Sequence, residues 1–191
     1  MNKKYKIVAL FGKSCAGKDT IQKYIVSSMP YLVNSIISCT TRPKRDYEKD
    51  GIDYHFLSDK HFGDKIMNGS MLEATAFRGW FYGTPVESLK ENFINIGVFN
   101  IEGIECLLSD PRLEVFPIYI KASDKVRLKR SLLREKNPDV EEIIRRYKTD
   151  KKDFSNINFK YKVFRNNKNK IRPYDMEIIE KYIVDFYLEK Q

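Results

Sequence analysis

The sequence predicts an α/β fold: a five-stranded parallel sheet flanked by helices, with a small α+β lobe inserted and a basic helical segment further along. Three observations predict it. Short apolar, β-rich runs alternate with helical stretches along the chain. A glycine-framed loop joins the first run to the first helix, and the texture changes between about residues 42 and 92. A length of 191 residues suits one domain with a real core and room for a small lobe.

The expected core strands are Lys6–Phe11, Ser35–Cys39, Gly97–Ile101, Val115–Ile120 and Lys162–Phe164. The expected helices are Asp19–Met29, Gly103–Leu108, Ser123–Lys136, Val140–Asp153 and Tyr174–Lys190. In the last of these, Ile178, Ile179, Tyr182, Ile183 and Phe186 recur at helical spacing, so that stripe is expected to pack on the sheet. Within the lobe, Asp53–Phe56, Met71–Phe77 and Trp80–Gly83 read as strands, with a helix near Ser58–Met67. Thr84-Pro85-Val86-Glu87 reads as a helix start, with Thr as N-cap, Pro at the first helical position and Glu closing a capping box.

Composition excludes several classes. No apolar run approaches a membrane span, and the basic start Met1-Asn2-Lys3-Lys4 leads into too short a run for a signal peptide. Cys15, Cys39 and Cys106 form neither a disulfide framework nor zinc spacing, so a reducing cytoplasm is expected. Cys15 and Cys39 are expected to be small buried fillers. The net charge of +9 suits either nucleic acid or small phosphate substrates. No RNA-recognition signature, zinc finger or helix-turn-helix pattern favours the former.

Gly12-Lys13-Ser14-Cys15-Ala16-Gly17-Lys18 follows an apolar strand and opens a helix, the context a phosphate-binding loop requires. Its glycines let backbone N–H groups turn around a phosphate, and the helix N-terminus adds its positive end. Lys18 can neutralise charge between the β- and γ-phosphates. Where a hydroxyl residue usually follows the lysine to ligate magnesium, this chain has Asp19 and then Thr20. Either can serve the metal; Asp19 also suits the first turn of any helix.

Ser38-Cys39-Thr40-Thr41-Arg42-Pro43-Lys44-Arg45 and Asp50-Gly51-Ile52-Asp53-Tyr54-His55-Phe56 resemble guanylate kinases, P-loop nucleoside monophosphate kinases. Met71-Leu72-Glu73 and Phe81-Tyr82-Gly83-Thr84 follow in the family's order and near its spacing. The resemblance covers most of the chain and implies a P-loop NTPase fold. It divides the 191 residues into a core (1–41 and 93–191), an acceptor-binding lobe (42–92) and a lid (about 121–150).

The resemblance also implies roles. Arg42 and Arg45 match arginines that clamp the acceptor phosphate, with Tyr54 and Tyr82 completing that site. Glu73 matches the carboxylate that pairs with guanine N1–H and the 2-amino group, and Ser38 and Thr84 match hydroxyls near O6. Asn100-Ile101-Glu102 stands where the family shows two aspartates; Glu102 is a nucleoside contact or simply the opening acid of the next helix.

Seven basic residues between Lys121 and Lys136 face only Asp124 and Glu135. Such a run is usually a solvated face. Yet Arg130 and Arg134 share one side of a helix and match lid arginines, and Arg146 matches a third with Arg145 as its rival. Asn166 is expected beside the adenine of ATP, or as a plain turn residue.

The expected activity is in-line phosphoryl transfer from Mg·ATP to GMP or dGMP without a covalent intermediate. The partners are these small molecules, with no nucleic acid and no membrane, and the protein is a monomer or homodimer. A kinase of broader base preference is the alternative within enzymes. A binding module of the same fold is the alternative outside them, though such modules typically have an eroded loop, whereas Gly12, Gly17 and Lys18 stand here.

Overall fold

The computed structural model describes residues 5–77, 79–134, 136–168 and 173–188. In chain order its first half contains β1 (Tyr5–Phe11), α1 (Lys18–Ser28), β2 (Val33–Ser35), β3 (Cys39–Thr40), β4 (His55–Phe56), α2 (Asp59–Met67), β5 (Met71–Phe77) and β6 (Trp80–Pro85). There follow β7 (Ile94–Val98), α3 (Ile101–Ser109), β8 (Leu113–Lys121), α4 (Asp124–Arg134), α5 (Val140–Asp153), β9 (Lys162–Arg165) and α6 (Pro173–Leu188).

Five strands in the order β2-β7-β1-β8-β9 form one sheet, every neighbouring pair parallel. Successive residues of β1 serve opposite faces, which is why a continuous apolar run suits a central strand. Val8 and Leu10 pack with Ile21 and Ile25 of α1 and with Met176, Ile179, Ile183 and Phe186 of α6. Ile7, Ala9 and Phe11 pack with Ile104 and Leu107 of α3. A second sheet, β4-β3-β6-β5, carries the inserted lobe, with α2 against it and Phe62 buried.

Several elements differ from expectation, each for a local reason. The strand expected at Ser35–Cys39 is split: Val33–Ser35 pairs with β7, while Cys39 and Thr40 pair in the second sheet. Ser38 lies in the crossing between the two sheets. Gly97–Ile101 is not a strand throughout, since β7 ends at Val98 and Asn100 caps α3, its side chain accepting from the Gly103 N–H at 2.7 Å. Asparagine's strength as an N-cap overrides the apolar residues around it. Thr84 and Pro85 end β6 rather than start a helix, and only a 3₁₀ turn, Val86–Ser88, follows. The Thr84 hydroxyl is engaged elsewhere, and Glu87 accepts from Lys65 at 2.6 Å instead of closing a capping box. In α6 the buried stripe runs through Met176, Ile179, Ile183 and Phe186, while Ile178 is exposed. The expected end of that helix at Lys190 lies outside the described residues.

Candidate active site

A cavity of about 740 Å³ runs from the first loop to the inserted lobe. One end of it is the β1–α1 connection. Gly12 approaches β8 so closely that a Cβ would sit 2.4 Å from the Ile120 carbonyl oxygen. Gly17 adopts φ +93° before α1, and a Cβ there would meet the Asn166 side chain at 2.5 Å. No side chain caps α1, so its first N–H groups remain for a ligand. Lys18 curls back, its Nζ donating to the carbonyl oxygens of Gly12 (2.8 Å) and Lys13 (3.3 Å). Burial pulls its pKa below the ordinary lysine value, against the opposing charges of Asp19 and Asp150.

A buried ion pair between α4 and α5 grips this loop. Arg127, 1% exposed, pairs with Asp150 and donates to the Ser14 carbonyl at 2.9 Å. Asp150 accepts from the Ser14 N–H at 2.9 Å and from its hydroxyl at 3.1 Å. Tyr147 stacks on the Arg127 guanidinium at 4.5 Å, and Asp124 accepts from it at 2.7 Å. The solvated face expected for the basic run therefore fails at Arg127. The i,i+3 pair Asp124/Arg127 was the sequence signal for a held arginine; nothing local pointed to Asp150.

At the other end, Arg42 donates to both carboxylate oxygens of Glu48, at 2.8 and 3.0 Å, and the Arg45 backbone N–H donates to Glu48 at 2.9 Å. Burial alone would raise the Glu48 pKa, but these bonds hold it below the usual carboxylate value. Glu48 is buried and organises both arginines, a role the sequence did not suggest. Tyr54 packs on Tyr82 with ring centroids 6.2 Å apart, and the Arg42 guanidinium lies 5.6 Å from the Tyr54 ring centroid.

Deeper in the lobe, Glu73 is buried on β5 and accepts from the Thr84 hydroxyl at 2.7 Å. Burial raises its pKa to about 7; the Thr84 bond opposes the rise and the Glu102 charge adds to it. Asn100 ties lobe to core, since its amide donates to Thr75 at 2.9 Å while its oxygen caps α3.

Of the residues expected here, Gly12, Ser14, Cys15, Lys18, Asp19, Ser38, Arg42, Arg45, Tyr54, Glu73, Tyr82, Glu102, Arg134 and Arg146 line one cavity. Arg145 lines it too, and both it and Arg146 bind Glu142, at 2.5 and 2.6 Å. The bond from Arg145 chiefly, with that from Arg146, pulls Glu142 down to about 2 against the burial penalty. Ala16, Gly17, Thr20, Thr84, Arg130 and Asn166 are not in that lining. Ala16 is buried and Thr20 is exposed. Arg130 and Asn166 sit behind the loop, donating to the Ala16 carbonyl at 3.1 and 2.8 Å. Cys15 is half-buried at φ +59° in the cavity wall, not the buried filler expected; Cys39 is buried.

Two carboxylates of the cavity lie near the loop: Asp150 is already engaged by Arg127 and Ser14, which leaves Asp19 as the better placed for a divalent cation. Among the described residues no group of three or more His, Cys, Asp or Glu side chains forms a metal cage. That fits magnesium carried on a nucleotide's phosphates, which needs few protein ligands. No helix among the described residues is long and apolar enough to cross a membrane.

A parallel sheet, a glycine-framed loop opening an uncapped helix and a separate arginine-bearing lobe on one cleft define a P-loop phosphate-binding protein of the nucleoside monophosphate kinase class. Residues 4–182 match the sequence description of guanylate kinase, and the chain belongs to the guanylate kinase family. It is similar to the guanylate kinase of Malacoplasma penetrans, 40% identical over 46% of this chain and 45% of that one. It is also similar to that of Helicobacter pylori strain J99, 35% identical over 70% of this chain and 66% of that one. The matched stretches thus span about half to two thirds of these two relatives. The crystal structure of guanylate kinase from Anaplasma phagocytophilum superposes with a TM-score of 0.70 at 22% identity, covering 100% of this chain and 90% of that one, and shows the same fold.

Proposed function

We propose that the protein phosphorylates GMP and dGMP to the diphosphates by direct in-line transfer from ATP. The observation that carries this reading is Glu73: a buried carboxylate, held by Thr84, in the same cavity as Lys18, Arg42 and Arg45. Guanine presents two adjacent donors, N1–H and the 2-amino group, to such a carboxylate. Adenine presents a lone pair at N1 and would leave it unpaired.

In this reading the core (1–41 and 93–191) binds ATP, the lobe (42–92) binds the acceptor, and the lid (about 121–150) closes over both. Lys18 leaves the Gly12 and Lys13 carbonyls to meet the β- and γ-phosphates, while loop N–H groups and the α1 N-terminus hold the β-phosphate. Arg42 and Arg45, oriented by Glu48, clamp the acceptor phosphate beside Tyr54 and Tyr82. Arg134 and Arg146 reach the transferring phosphoryl, and Arg130 and Asn166 flank the adenine side of the loop. Asp19 is the residue that would hold magnesium, and the ion, when bound, would supply neutralisation of phosphate charge. No strong base is required, because the acceptor phosphate is already an anionic nucleophile. A cytoplasmic setting suits these substrates and the unpaired cysteines.

A coupled phosphorylation assay over a panel of monophosphates tests the proposal. GMP and dGMP are expected to exceed AMP, CMP and UMP in kcat/KM by about 10⁴. Comparable values for AMP or dTMP would discard the guanine assignment.

A further inference from the structure

Tyr47 stands on the lobe between Arg45 and Glu48, with about half of its surface exposed (56%). Its phenol oxygen accepts from three donors on two elements. Arg134 of α4 reaches it through Nη2 at 2.6 Å and Nε at 3.1 Å, and Arg45 through Nη1 at 3.1 Å. The Arg134 guanidinium also lies 5.7 Å from the centroid of the Tyr47 ring. A phenol oxygen has two lone pairs, so the two Arg134 N–H groups share one, Arg45 takes the other, and the O–H remains a donor.

Two cations drawn to one neutral oxygen repel each other. Glu48 offsets part of this charge, its carboxylate lying 3.6 Å from the Arg45 guanidinium, and an anion entering between the two arginines offsets more of it. Glu48, which holds Arg42 and the Arg45 backbone, follows Tyr47 directly, so the acceptor-side arginines and the lid arginine meet at one short loop.

We propose that Tyr47 is a positioning residue: it latches Arg134 of α4 to the acceptor lobe, so that an acceptor phosphate bound by Arg45 draws the lid arginine toward the transferring phosphoryl. The inference rests on the kinase reading above. Tyr47 touches neither nucleotide in it and acts only through Arg134.

The test uses the full-length chain as Tyr47→Phe, Arg134→Ala and the double variant, with melting temperature as the check on folding. Tyr47→Phe keeps the ring and removes only the hydroxyl. It is expected to lower kcat about three- to tenfold, with KM for either nucleotide changed less than about twofold. The double variant is expected to be no slower than Arg134→Ala alone, since a group acting through Arg134 has nothing left to position. Wild-type kcat in Tyr47→Phe, or losses that multiply in the double variant, would overturn the latch. Base selectivity measured with the same proteins reads the kinase proposal separately: guanine preference with an unaffected Tyr47→Phe sinks the latch alone.

Discussion

The two ends of the cleft are built from different materials. The proposed donor end is mostly backbone: a loop whose shape depends on Gly12 and Gly17, and on an ion pair from α4 and α5 that engages the N–H, C=O and hydroxyl of Ser14. The proposed acceptor end is mostly side chain: Glu48 holding Arg42 in the connection between β3 and β4, and Thr84 of β6 holding Glu73 of β5. A triphosphate is the same in every nucleotide, so backbone N–H groups in fixed geometry suffice to bind it. A base must be told from other bases, which takes buried polar groups that a wrong partner leaves unpaired. The first end can therefore be rigid and generic, whereas the second bears the desolvation cost that selectivity requires.

If the Arg127–Asp150 pair supports the donor end, removing one partner should have the largest consequence. Asp150→Ala leaves a buried guanidinium with, among the described residues, only the exposed Asp124 as carboxylate partner. A loss of about 3 kcal/mol is expected, read as a melting temperature lower by about 6–12 °C. Replacing both partners with apolar residues should restore much of it. An Asp150→Ala protein as stable as the parent would mean that the loop holds its shape unaided. Next in size, Lys18→Ala should leave the fold intact and cut turnover by at least about a hundredfold, the scale of one preorganised charge. Near-parental kcat in that variant would remove the donor role from this loop.

The two ends also differ in how legible they were. The loop could be read because strand, glycines, lysine and helix are contiguous, and the expected bounds of α5 and β5 are the observed ones. The acceptor lobe was readable through its short motifs, so Arg42, Tyr54, Glu73 and Tyr82 fall in one cavity. What escaped was support at a distance. Asp150 is 136 residues from Ser14, and no local pattern distinguishes it from the solvated acids of α5. Glu48 was hidden for the opposite reason: in a charged loop it reads as surface until the chain folds around it. Thr84 misled because one sequence, Thr-Pro-x-Glu, suits both a capping box and a strand end, and the buried carboxylate opposite decided between them.

The smallest expected effect bears on the acceptor end alone. In the free protein Glu73 has a pKa of about 7, lifted mainly by burial. In the proposed complex guanine donates two hydrogen bonds to the ionised form, so binding there would remove that proton. The GMP dissociation constant should then be level above pH 7 and rise toward tenfold per unit below it. The sole tryptophan, Trp80, lines the cavity and reports binding by fluorescence without turnover. The nucleotide's own phosphate titrates near pH 6 and would add to the trend, so Glu73→Gln is the control: it should keep the phosphate contribution and lose the rest. Folding carries the same signature with its own sign. A carboxyl whose folded pKa is raised adds stability below its unfolded value, near 4.5, and that contribution is lost as pH rises through about 7. Free Glu73→Gln protein should therefore melt higher than the parent at pH 8, while the two converge toward pH 5. A GMP affinity with the same pH dependence in both proteins would show that Glu73 is already ionised in the free site. The acceptor end would then be preformed in charge as the donor end is in shape, and the contrast between them would be smaller than the burial of Glu73 implies.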